Sequence, residues 1–173
     1  MNKMNILISG VGGPTPRSIS RSIKISRYNQ KSKLFGTDIN PYVHGLYESK
    51  LYEKNILVPS ARNEKYWDTI KAFVQENDIK FAMIHPEQAA LEWSLYKKKG
   101  GTWPCKTILP DYDLVKILMD KGAMTTILRD SDLVPKSYVM NPKKIDFTKL
   151  EETLSYPFWI RSTSGSSGLG SLK

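Results

Sequence analysis

Five short apolar runs, most of them separated from the next by a turn and a helix-length stretch, constrain this chain more than any other feature. The first, Asn5-Ile6-Leu7-Ile8-Ser9, stops at Gly10. A continuous apolar run bounded by glycine predicts a strand buried on both faces. The others are Lys33-Leu34-Phe35-Gly36-Thr37-Asp38, Asn55-Ile56-Leu57-Val58, Phe81-Ala82-Met83-Ile84 and Thr107-Ile108-Leu109. Helices are predicted over 17–28, over 65–77, where Tyr66, Ile70, Phe73 and Val74 recur at helical spacing, and over 87–99, ended by Gly100-Gly101. Gly10-Val11-Gly12-Gly13-Pro14-Thr15-Pro16, between the first strand and the first helix, reads as a turn. Strands alternating with helices predict an α/β fold, a Rossmann-like parallel sheet with helices on both faces. In such a sheet ligands sit at the carboxyl ends of the strands. There the chain offers 10–17, 38–42 and 85–87.

The pattern changes after Pro110. Leu114, Ile117, Leu118, Met124 and Leu128 keep helical spacing behind Asp111, a plausible N-cap, and Gly122 predicts a break near 120–122. Residues 134–139 read as extended, 145–154 as a short helix and Tyr156-Pro157-Phe158-Trp159-Ile160-Arg161 as a strand. A tail rich in serine and glycine follows to Lys173. The length, 173 residues, fits one domain and the start of another. The expected division is 1–110, a helical linker over 111–131, and an incomplete α+β lobe over 132–173.

Hydrophobic residues make up 40% and charged residues 25%, a balance that disfavours long disorder. No stretch approaches the roughly 18 apolar residues of a membrane span. The start lacks a signal-peptide core. The single cysteine, Cys105, forms no internal disulfide, and with only His44 and His85 a metal site built on cysteine or histidine is not expected. A cytoplasmic location is expected. The net charge of +9 is concentrated early: residues 1–50 hold eight basic side chains and two acids. Arg17, Arg21, Lys24, Arg27 and Lys31 would share one helix face, with Ile19, Ser22, Ile23 and Ser26 opposite. A solvated outer face explains this stripe, and a surface for phosphate or nucleic acid is the sharper alternative. Aromatic residues do not interleave with it, so a single-strand stacking platform is not indicated.

Two glycine-rich segments are candidate sites. A glycine turn after a first strand can present backbone N–H groups to an anion. However, the dinucleotide fingerprint would want glycine where Thr15 stands, and Pro14 and Pro16 replace flexible positions. Tight packing explains these glycines equally well, and Asp38 could hold a ribose hydroxyl. The second segment, 162–171, has the composition of a linker. It directly follows Arg161 at the end of an aromatic run, where a cation beside small residues suits a triphosphate. No Walker A spacing is present.

In order and spacing, these motifs together resemble the front part of an ATP-grasp protein of the carbamoyl-phosphate-synthetase-like group. Residues 6–13 and 36–41 are similar to the pre-ATP-grasp domain, and His85-Pro86-Glu87 to its later strand-end turn. Asp120-Lys121 and Val134-Pro135-Lys136-Ser137 resemble the linker helix and the entry to the nucleotide lobe. Pro157–Arg161 with Gly165-Ser166-Ser167-Gly168 resembles the strand and the glycine loop that cover ATP phosphates. The resemblance implies phosphate contacts from Lys121 and Arg161, and a loop of Ser164, Gly165, Ser166, Ser167 and Gly168 closing over ATP. It leaves Gly12, Asp38 and Glu87 as candidates on the substrate side. Glu92 is a further candidate for the same cleft, although a solvated helix acid is the simpler reading.

The resemblance stops at the glycine loop. The later lobe of such proteins, with the adenine hinge and the acidic and Asn ligands of Mg²⁺, is not in the sequence. The expectation is the N-terminal portion of a ligase that activates a carboxylate with ATP for attack by an amine or another nucleophile, inactive alone. Its partners would be ATP, an unknown carboxylate, the missing C-terminal lobe or a partner chain, and a second copy of itself if the apolar face at 156–161 drives dimerisation. The competing readings are a non-enzymatic binding module that recruits an acidic partner or nucleic acid, and a nicotinamide-binding Rossmann protein.

Overall fold

The computed structural model describes residues 4–27 and 31–165. The chain divides into two compact units, Met1–Tyr112 and Asp113–Lys173.

In the first unit β1 (Asn5–Ser9) pairs in parallel with β2 (Lys33–Asp38) on one side and β4 (Phe81–Met83) on the other. β3 (Lys54–Leu57) adds to β2, and β5 (Lys106–Thr107) adds to β4, which gives the order β3-β2-β1-β4-β5. The order reverses direction at β1, where β2 lies on one side and β4 on the other. In a doubly wound sheet this switch point opens a crevice at the carboxyl ends of the strands.

Period two divides the core between the two faces of the sheet. Leu7, Phe35 and Ala82 point to one face and pack with Tyr66, Ile70, Phe73 and Val74 of α2 (Tyr66–Glu76) and with Ala89 and Trp93 of α3 (Glu87–Lys98). Ile6, Ile8 and Leu34 point to the other face and meet Val11, Leu51, Tyr52 and Ile23. Both faces are covered, which is why β1 carries apolar residues at successive positions rather than alternating with polar ones.

The first helix corrects the sequence reading. α1 spans Pro14–Ile25, so it begins inside the segment read as a turn and ends before Arg27 and Lys31. Proline is tolerated in a first helical turn because the N–H it lacks would have no intrahelical partner there. Its buried face is Pro16 and Ser20 with the half-buried Ile23, whereas Ser22 is exposed. The Ser20 hydroxyl donates to the Pro16 carbonyl at 2.8 Å and lies 3.0 Å from the Tyr52 hydroxyl.

The second unit contains α5 (Lys121–Ile127), α6 (Phe147–Thr153) and most of α4 (Tyr112–Met119). The break expected near 120–122 is the N-cap of α5: the Asp120 carboxylate accepts from the N–H groups of Gly122 at 2.8 Å and Ala123 at 3.0 Å. Asp146 caps α6 in the same way through the Lys149 N–H. The strand expected over 156–161 does not form a ladder among the described residues. The chain instead turns at Tyr156-Pro157, which is joined by a cis bond. Only Ile160 of this segment is in a β-bridge. Tyr156 and Trp159 are exposed, at 67% and 63%.

Candidate functional site

At the crevice in the first unit, the glycine turn is closed upon itself. The N–H groups of Gly10 and Val11 both donate to the Thr37 carbonyl, at 2.7 and 3.2 Å, and Gly13 donates to Gly10 at 2.9 Å. Gly12 donates to Asp38 Oδ2 at 2.8 Å. Pro14 and Pro16 have no N–H to give. A phosphate cradle requires several unpaired N–H groups converging on one point, and residues 10–13 have spent theirs inside the protein.

The glycines are required by packing. A Cβ on Gly12 would lie 2.5 Å from Val43 Cγ1, and one on Gly10 would lie 2.6 Å from Pro86 Cγ. Gly10 also has φ +69°, a conformation that favours glycine.

Asp38 is engaged through both oxygens, since Oδ1 accepts from the Asn40 N–H at 3.0 Å. It therefore ties the glycine turn to the loop after β2. Glu87 is exposed in the first turn of α3, where a carboxylate offsets the helix dipole. Glu92 accepts from Gln88 Nε2 at 3.1 Å and lies 3.9 Å from Arg62 Nε, as an acid on a helix surface does.

Sequence reasoning passed over Ser9, which is buried at the end of β1. Its hydroxyl donates to the Met83 carbonyl at 3.2 Å and accepts from the His85 N–H at 3.0 Å, and so joins β1 to the end of β4. His85 Nε2 is buried with no hydrogen-bond partner among the described residues, and burial pushes the imidazole below its ordinary pKa.

The basic stripe is shorter than the sequence suggests and largely used. Arg21 pairs with Glu48 at 2.9 Å, and that hydrogen bond is the main reason the Glu48 carboxyl is held below the usual range. Lys24 Nζ donates to the Ser32 carbonyl at 3.0 Å.

In the second unit, Lys121 and Gly165 come together across 44 residues of sequence: the Lys121 ammonium donates to the Gly165 carbonyl. The Lys121 backbone N–H donates to the Thr163 carbonyl at 2.9 Å. Gly122 is buried against Thr163, whose Cγ2 would lie 3.0 Å from a Cβ there. Thr163 and the capping Asp120 were not singled out from sequence as site residues. The only signal for the cap was an aspartate directly before a helical run. The Ser164 N–H donates to the Ser162 hydroxyl oxygen at 3.3 Å. Arg161 is exposed, so water meets its charge and burial gives it no need of a protein partner. Ser166, Ser167 and Gly168 lie outside the described residues.

Among the described residues no group of three or more His, Cys, Asp or Glu is placed to hold a metal ion, and no helix is long and apolar enough to cross a membrane.

No family model and no curated protein matches the chain. Solved structures do. The biotin carboxylase domain dimer of Hydrogenobacter thermophilus 2-oxoglutarate carboxylase, in complex with MgADP, ADP and bicarbonate, matches with a TM-score of 0.54 at 14% identity. The match covers 96% of this chain and 37% of that one. The biotin carboxylase domain of a thermophilic 2-oxoglutarate carboxylase bound to ADP without magnesium gives a TM-score of 0.48 at 15% identity, over 99% of this chain and 37% of that one. The chain thus spans just over a third of the length of these neighbours. Over that span its fold is similar to the corresponding part of the biotin carboxylase domain.

Proposed function

We propose that the chain is part of an ATP-grasp ligase of the carbamoyl-phosphate-synthetase-like kind, and that its second unit holds nucleotide phosphates. The observation that carries this reading is the contact of the Lys121 ammonium with Gly165, which joins two of the residues expected at the phosphates. Residues 1–110 would be the pre-ATP-grasp domain, 111–131 the linker and 132–173 the start of the nucleotide lobe.

In the reaction a carboxylate oxygen attacks the γ-phosphorus and ADP leaves. The nucleophile then attacks the acyl carbon of the resulting acyl phosphate and inorganic phosphate departs. Lys121 and Arg161 would offset phosphate charge, and Ser164, Gly165, Ser166, Ser167 and Gly168 would exclude water. Gly12, Asp38 and Glu87 would border the carboxylate. The structural neighbour binds bicarbonate, which makes a small carboxylate of that kind the first substrate to try. Mg²⁺ accompanies the nucleotide there, but the described residues of this chain hold no cluster that fits it, and its ligands would come from the remainder of the lobe or a partner chain. The neighbour is a dimer, and a homodimer is the assembly proposed here too, in the cytoplasm.

The test is calorimetry with ATP, with and without Mg²⁺, on the 173-residue chain and on a version that continues downstream. Weak or absent binding to the first and Mg²⁺-dependent binding to the second is expected. Equal affinity in the two would count against the reading.

A further inference from the structure

Lys121 holds residues 163–165 at two points. Its backbone N–H takes the Thr163 carbonyl and its side chain takes the Gly165 carbonyl. The grip has little slack at its base. Asp120 fixes the start of α5 through two hydrogen bonds, and Gly122 lies against Thr163. At the other end there is room. Gly165 has φ +87°, and among the described residues no atom beyond its chain neighbour lies within 4 Å of where its Cβ would be. Among the described residues the Gly165 end is thus held by a long-stemmed cation and not by side-chain packing, whereas the Thr163 end is held by backbone.

These two ends differ in what can displace them. A carbonyl offers the ammonium a dipole, and a phosphate offers it a full negative charge. Both bonds are charge-assisted through the ammonium, and the phosphate adds the attraction of a full opposite charge. The backbone N–H of Lys121 carries no net charge and has no such incentive to change partner.

We propose that the Lys121 ammonium is a latch: without nucleotide it holds the Gly165 carbonyl, and it gives that carbonyl up when a polyphosphate binds. This rests on the nucleotide reading above. Phosphate binding then frees the Gly165 end of the segment while the Thr163 end stays hinged to α5. The same lysine senses the ligand and releases the chain, so occupancy and loop freedom are coupled without any additional residue.

The experiment reads the carbonyl ¹³C resonance of Gly165 in the labelled chain. In the absence of ligand, Lys121→Met should move it upfield, because a hydrogen bond is lost. Lys121→Arg, which keeps a long cationic donor, should leave it near the wild-type position and controls for folding. Titration of the wild-type chain with tripolyphosphate, and separately with ATP and Mg²⁺, should move the resonance in the direction of Lys121→Met. The same titration should leave Lys121→Met where it is. An unmoved resonance in ligand-free Lys121→Met would overturn the latch whatever the chain does with ATP. Calorimetric ATP binding that leaves the Gly165 resonance in place would overturn the exchange and leave the nucleotide reading standing. No ATP binding by either the chain or its downstream extension would instead remove the nucleotide reading, and the exchange with it, while a shift in ligand-free Lys121→Met would still establish the grip on Gly165.

Discussion

Asp38 accepts the N–H of Gly12 through one carboxylate oxygen and that of Asn40 through the other, at 2.8 and 3.0 Å. One side chain at the end of β2 therefore fixes both loops that border the switch-point crevice. Removing it leaves the Gly12 N–H without its partner. Asp38→Ala should cost about 1–2 kcal/mol, toward the lower part of the range for hydrogen bonds to charged groups because the carboxylate is half exposed to water. Asp38→Asn, which keeps one acceptor, should cost less. Urea unfolding followed by tryptophan fluorescence reads both, and an unchanged midpoint for Asp38→Ala would remove the structural role.

Gly12 tests whether packing or ligand approach explains the glycine turn. A methyl group there meets Val43 Cγ1 at 2.5 Å, so Gly12→Ala should destabilise by about 1–3 kcal/mol, as overpacking does. Val43→Ala removes the obstacle. The double variant should recover part of the loss, and strict additivity in a double-mutant cycle would show that the clash is not the cause.

Trp93 is fully buried and its indole N–H donates to the Tyr66 hydroxyl at 2.9 Å. Tyr66→Phe keeps the ring and deletes the acceptor, leaving a buried donor unpaired at a cost of about 1–3 kcal/mol. Burial, partly offset by this hydrogen bond, pushes the Tyr66 phenol up to about 12. The folded state therefore keeps the proton after the unfolded chain has lost it. The stability this contributes is present below pH 10, the ordinary tyrosine value, and falls as pH rises toward 12. Absorbance titration of wild type against Tyr66→Phe should show one late-titrating phenol missing from the variant. Identical titration curves would place the perturbed group elsewhere.

His85 gives the opposite sign of pH dependence. Burial lowers its folded pKa, so below the ordinary imidazole range of 6.5 the unfolded chain takes up a proton that the folded chain resists. Stability from this residue is present above that value and is lost as pH falls toward the folded pKa. His85→Phe should flatten the acid limb of the stability curve without disturbing the Ser9 hydroxyl, which is bonded to the His85 backbone and not to its ring. An acid limb of unchanged slope in His85→Phe would assign it to other groups.

Much of the first unit was readable along the chain. β2 spans 33–38 and α2 spans 66–76, close to where apolar runs and helical spacing put them, because each buries a continuous face and its pattern is dictated locally. The start of α1 was not readable, since proline and glycine signal turns in general and only the position of the helix axis tells which prolines occupy a first turn. The strand expected at 156–161 failed for a related reason. Its aromatic residues have strand propensity, but among the described residues the pairing shrinks to a bridge at Ile160, because propensity alone does not build a ladder.

The candidate site divides along the same line. Lys121 and Gly165 were both named from sequence through a family resemblance, yet nothing in their positions says that the lysine would grip the glycine's own carbonyl. Asp38 and Gly12 were named as candidates at the substrate side, and the structure shows them bonded to each other.

The order of apolar and amphipathic segments settled by itself that this chain builds a parallel sheet covered on both faces, since a buried strand and the stripe of a helix each leave a periodic trace in neighbouring residues. Only the folded arrangement decided which donors and acceptors were already spent. Hydrogen-bond satisfaction depends on groups brought within 3 Å from distant parts of the chain, and the linear order of residues carries no record of which of them meet.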